Sequence, residues 1–172
     1  MTPEHSRGIT KVREDEDRLW QARGKMTRAE SRAHANCVVC GPTNPRGLGL
    51  DFDISTDGGV EAHFDCDRSF EGYDNVLHGG VVASLLDGAM THCLFARGRP
   101  AMTAELTVRF RHPVAIGRSA TVRAWITRDD PPLYVLKARV TQDGEVKATA
   151  TGKFMDPPRP VERSSSREKV QP

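Results

Sequence analysis

Six stretches between Leu48 and Met155 alternate apolar and polar residues with the period of two that a half-buried strand requires. In LGLDFDI the apolar set is Leu48, Leu50, Phe52 and Ile54. In VEAHFDC it is Val60, Ala62, Phe64 and Cys66, with STDGG between the two as a turn. AMTAELTVRFRH places Met102, Ala104, Leu106, Val108 and Phe110 on one face. SATVRAWIT and LYVLKARVTQ follow, separated by RDDPP, and Asp143-Gly144 joins the second of them to EVKATATGKFM as a tight hairpin. One segment breaks the period: Gly79–Ala96 is apolar almost throughout and predicts a helix. The order is strand–strand–helix–four strands. The strands have one wet and one apolar face, and a single helix is available to cover the latter. This predicts an α+β fold in which an antiparallel sheet wraps one central helix.

The alternation fades at both ends. Residues 1–36 are charged and predict an N-terminal arm or helix, 37–155 hold the patterned domain, and the Pro/Ser-rich stretch 156–172 predicts a disordered tail. Across 172 residues, 37% are hydrophobic and 28% charged, and the net charge is +2 with both signs interleaved, which argues against a nucleic-acid partner. The N-terminal segment has no apolar core of the secretory kind. The helical run holds Asp87 and His92 and reads as too short and too polar for a membrane span. The four cysteines, Cys37, Cys40, Cys66 and Cys93, form no framework of the secreted type, so a reduced, cytoplasmic protein is expected.

The chemistry concentrates at the helix. It opens on His78-Gly79-Gly80, where small residues allow close approach and the first turn points N–H groups outward at the positive end of the dipole. Such a turn suits an anion or a developing oxyanion, and equally suits plain entry into a packed helix. Asp87 is a lone carboxylate among Leu85, Leu86, Ala89 and Met90. Apolar neighbours raise a carboxyl pKa and make it a better base; an acid on a solvated stripe is the alternative. Asp87 lies roughly 13.5 Å along the axis from His78 and about half a turn out of phase. One helix therefore cannot offer both ends to one small substrate, whereas two antiparallel copies related by a twofold can.

HGG-x6-D opening an apolar helix, after two strands and before TAELTVRFRHPVAIG, resembles the hotdog-fold acyl-CoA thioesterases. The nearest branch is the PaaI-like group of the 4-hydroxybenzoyl-CoA thioesterase superfamily, and CVVCGPTNPRGLGLDFD is similar to an entry segment in some of these proteins. The resemblance runs from Cys37 to Met155. It implies a curved antiparallel sheet around a long helix. It also implies homodimers, in relatives often paired into tetramers, with active sites at the dimer interface and acyl-CoA as substrate. By position, the Gly79 N–H would meet the thioester carbonyl oxygen and His78 would shape that loop. Asp87 of the other protomer would act as general base or nucleophile, and Thr103 would help hold the water. Asn75, Gly80, Arg109 and Arg111 would contact substrate. Where many relatives carry Asn or Gln six residues before the His, this chain has Gly72, with Asp74 and Asn75 close by. No cofactor and no metal is implied.

Other candidates carry less. Cys37-Val-Val-Cys40 invites zinc, with His34, His63 or Cys66 as further ligands, but a structural site usually uses two such pairs and the second is missing, so a reduced turn is expected. His92 reads as a packed helix residue, Trp125 and Tyr134 as sheet residues, and Arg97, Arg99, Arg109 and Arg111 as solvated or phosphate-binding cations. Besides a thioesterase, the same fold would serve a non-catalytic acyl-CoA-binding module or, less well, a dehydratase.

Overall fold

The computed structural model describes residues 34–157. The arm expected at 1–36 and the tail expected at 156–172 lie almost wholly outside them. Asp156 is described. Its N–H donates to Pro132 O (3.0 Å) and its carboxylate accepts from the buried Tyr134 hydroxyl (2.7 Å), so the last strand is tied down where the tail begins.

The elements run β1 (Asp53–Ile54), β2 (Val60–Asp65), a 3-10 turn (Arg68–Phe70), β3 (Glu71–Tyr73), β4 (Val76–Leu77), α1 (Gly79–Ala96), β5 (Met102–Phe110), β6 (Ser119–Asp130), β7 (Leu133–Gln142) and β8 (Glu145–Met155). Six strands form one sheet in the order β1-β2-β6-β7-β8-β5, antiparallel throughout, and β3 pairs with β4 in a small separate hairpin. The α+β architecture expected from the alternation is therefore present. Asp143 and Gly144 both have positive φ (54° and 79°), the primed turn that a two-residue hairpin demands.

The sheet's inner face packs on α1. Ala62, Phe64, Val122, Ala124, Leu136, Ala138, Val140, Ala148 and Phe154 meet Val82, Leu85, Leu86, Ala89, Met90, Cys93 and Leu94, all buried. By length and composition alone α1 is apolar enough to cross a membrane. Its polarity does not rule that out, contrary to the sequence reading; packing does, because the helix is this domain's core. It ends at Arg97 and Gly98, the latter at φ 67°, with Arg99 N–H turning back to Leu94 O (3.0 Å).

Besides register shifts at Ile126/Arg128 in β6 and at Val140/Thr141 in β7, three details depart from the expected pattern. LGLDFDI buries Leu50 and Phe52 as expected, but only two of its residues are strand. The N–H groups of Leu48 and Leu50 bond instead to the carbonyls of Val38 and Val39. The β3–β4 hairpin has no counterpart in the alternation. In β5 the register shifts between Thr103 and Glu105, with Thr103 opposite Phe154 and Glu105 opposite Lys153. Ala104 is thus an extra residue, and Thr103, not Ala104, shares the helix-facing side with Leu106 and Val108.

Candidate active site

His78 caps α1. Its Nδ1 accepts the Gly80 N–H at 2.9 Å, and its carbonyl takes the N–H groups of Val81 (2.9 Å) and Val82 (3.1 Å). The Gly79 N–H takes part in none of these bonds and lies at the exposed mouth of the helix. Because Nδ1 accepts, the neutral imidazole carries its proton on Nε2.

The glycines have separate reasons. A Cβ on Gly80 would stand 2.9 Å from His78 Nδ1, so Gly80 makes room for the cap. A Cβ on Gly79 would make only ordinary contact with the Phe110 ring, at 3.6 Å. A Cβ on Gly72 would come within 3.0 Å of His78 Cα, so this chain has the His78 backbone and ring where a side chain at 72 would lie. Asn75 sits at the β3–β4 turn with φ 58°. Its N–H donates to Glu71 (2.6 Å), its carbonyl accepts from Ile116, and its side-chain oxygen accepts from Arg68 (3.3 Å). These bonds give Asn75 a turn-holding role.

Asp87 lies in the middle of α1, half-buried. Thr103 Oγ1 donates to its Oδ1 at 2.9 Å, across from helix to strand. Burial raises the carboxyl above the usual range, and the Thr103 hydrogen bond opposes that by favouring the anion. The β5 bulge is what aims Thr103 at this acid. Phe110, at the other end of β5, touches the Gly79 end of the helix. One chain thus carries two half-sites, Gly79 with Phe110 and Asp87 with Thr103, roughly 12 Å apart along α1.

Arg109 and Arg111 are exposed on and just after β5. Arg111 lines an open hollow of about 470 Å³ with His112, Trp125, Arg139, Val146 and Thr149. His92 is buried and stacked on Phe52, with centroids 4.2 Å apart. His63 reaches Thr121, and Cys66 lies beside Gln142, both apart from the Cys37/Cys40 turn. His34 is the residue that joins that turn: its ring nitrogen and the two sulfurs lie within 4.8 Å of one another.

Residues 74–149 match the family model of the thioesterase superfamily, and the architecture is the hotdog fold that the resemblance implies. Solved structures agree on the fold. A thioesterase superfamily protein shares 25% identity and a TM-score of 0.64, over 67% of this chain and 60% of that one, less than two thirds of its length. The PaaI protein of the Escherichia coli phenylacetic acid degradation operon shares 20% identity and a TM-score of 0.61, over 74% of this chain and 90% of that one. A Streptococcus mutans protein, solved bound to acetyl CoA, shares 19% identity and a TM-score of 0.58, over 62% of this chain and 86% of that one. No curated protein matches.

Proposed function

We propose that the protein hydrolyses an acyl-CoA thioester, aryl or fatty, to CoA and a free acid. The observation that carries this reading is Asp87: a carboxylate desolvated in the core helix, raised in pKa, and oriented by Thr103. The superfamily match and a structural relative's bound acetyl CoA lend it support.

Asp87 takes a proton from water, whose oxygen attacks the thioester carbonyl carbon. The Gly79 N–H, at the positive end of α1, meets the oxyanion of the tetrahedral intermediate, and His78 Nε2–H lies in the same loop as a second donor. Collapse breaks the carbon–sulfur bond, and the proton held by Asp87 passes to the departing thiolate. Thr103 fixes the carboxylate and shares in holding the water. Gly80 and Asn75 keep the loop in shape, and Arg109 and Arg111 contact the CoA phosphates. A thioester is already activated, so the scheme requires no metal or cofactor.

Each site is shared between protomers. β5 is an edge strand whose Met102 and Phe110 are 63% and 56% exposed. Antiparallel pairing of β5 with its twofold copy, centred on Thr107 with Ala104 as the extra residue, sets Thr103 opposite the partner's Phe110 and so brings Asp87 to the partner's Gly79. The free thiols among the described residues fit a reducing, cytoplasmic setting.

The test is release of free thiol from a panel of aryl- and fatty-acyl-CoAs. Turnover of at least one member is expected. Tight binding across the panel without thiol release would favour the binding module instead.

Thr103→Val probes the acid. Removing the hydroxyl removes a bond that favours the anion, so the Asp87 pKa should rise further. The acid limb of kcat/KM should move to higher pH, with the alkaline side little changed. An unmoved limb would detach Thr103 from the base.

A further inference from the structure

The segment before β1 is a compact knuckle that the reaction does not use. The Cys37 N–H donates to His34 O (2.9 Å), the Gly41 N–H to Cys37 O (2.9 Å), and the Val39 N–H to Cys37 Sγ (3.4 Å). Gly41 has no room for a side chain, since a Cβ there would stand 2.4 Å from Cys37 N. Thr43 closes the loop, its N–H and hydroxyl both donating to Ala35 O (3.1 and 2.6 Å). The backbone is thus wound so that three residues spaced by three, His34, Cys37 and Cys40, turn their donors to one point, all within 4.8 Å of one another.

We infer that His34, Cys37 and Cys40 form a metal site for a thiophilic divalent cation of the zinc class. Tetrahedral coordination at Zn–S of ~2.3 Å sets sulfurs about 3.8 Å apart, so the observed cluster needs only small side-chain adjustment to close on an ion. Two thiolates and one imidazole are a soft donor set that disfavours magnesium and calcium. Three protein ligands leave the fourth position to water or another small donor. An N–H directed at a sulfur suits a thiolate, and the edge of the Phe95 ring holds the His34 imidazole with centroids 4.4 Å apart. The sequence expectation of no metal rested on the missing second CxxC pair; His34 stands in for one member of it.

The site has a structural consequence. Val39, inside the knuckle, is buried against α1 at Gly88, where a Cβ would lie 2.5 Å from Val39 Cγ1. Gly88 follows Asp87. Closing the knuckle on an ion therefore braces the helix face next to the catalytic carboxylate.

The experiment is a cobalt(II) titration of the full chain, stripped of metal by chelator and kept reduced with a phosphine. A thiolate-to-cobalt charge-transfer band and intense visible bands of tetrahedral type should appear and saturate at one equivalent. Zinc should bleach them and raise the melting temperature by mass action. Cys37→Ser with Cys40→Ser should abolish the bands. His34→Ala should weaken binding by more than about 100-fold, since even partners outside the ligand shell are worth 10–100-fold. No saturable band in the wild-type chain overturns the inference, whatever the variants do. So does a band that survives the double cysteine variant, or an affinity that His34→Ala leaves unchanged.

Discussion

Asp87→Asn should lower turnover by about 10²–10⁴-fold, the contribution of a positioned base, while acyl-CoA affinity stays within a few-fold of wild type. The amide keeps the shape of the carboxylate, and its oxygen still accepts from Thr103 Oγ1, so the helix–strand contact survives. What is lost is the capacity to take a proton from water. Stability should move the other way. The folded carboxyl holds its proton to higher pH than the unfolded one, because burial disfavours the anion. Ionisation therefore costs folding free energy as pH rises from the unfolded pKa through the folded one, and that cost is fully present above the folded pKa. Asparagine never ionises, so the variant should melt no lower than wild type at neutral pH, and the difference should vanish at acid pH. Single-turnover hydrolysis, ligand titration and melting curves at two pH values check all three. Near-normal turnover would make Asp87 a structural acid and remove the base from the mechanism.

What could be read from the chain beforehand divides along physical lines. The helix, its lone acid and the four strands after it announce themselves because each buries one face over many residues, and burial imposes a period. The Asp143-Gly144 turn was legible because its backbone conformation restricts residue type. The β3–β4 hairpin was not, since strands of three and two residues have no period to detect. Alternation in LGLDFDI correctly named the buried Leu50 and Phe52. It could not say that the N–H groups of Leu48 and Leu50 would bond to a knuckle instead of a strand. The β5 bulge is the most consequential omission. Strict alternation puts Thr103 on the face opposite Leu106, and only the extra residue Ala104 brings it to Asp87. Family position points to Thr103; period does not. The cysteine turn and three candidate companions are legible in the sequence, but that His34 rather than His63 or Cys66 joins it depends on a wound backbone that no hydropathy pattern encodes.

The strongest test of the shared site uses two variants that are each inactive. Gly79→Val should fold, because a Cβ at Gly79 makes only ordinary contact with Phe110, yet its branches crowd the N–H proposed to meet the carbonyl oxygen. Asp87→Asn lacks the base. If a site takes Gly79 from one protomer and Asp87 from the partner, a mixed dimer has one site with both lesions and one with neither. Refolding equal amounts of the two variants together should give about half mixed dimers by random pairing, so activity should recover to roughly a quarter of wild type. Independence of the two sites in a dimer is what makes that fraction additive. If each site drew both residues from its own chain, every site would retain one lesion and no activity would return. The geometry already weighs against that arrangement: within one chain Phe110 marks the Gly79 end of α1 and Thr103 the Asp87 end, roughly 12 Å apart along the axis. Two affinity tags, one per variant, establish that mixed dimers are present. Their presence without recovered turnover would sink the shared site while leaving Asp87 free to act as base within its own chain.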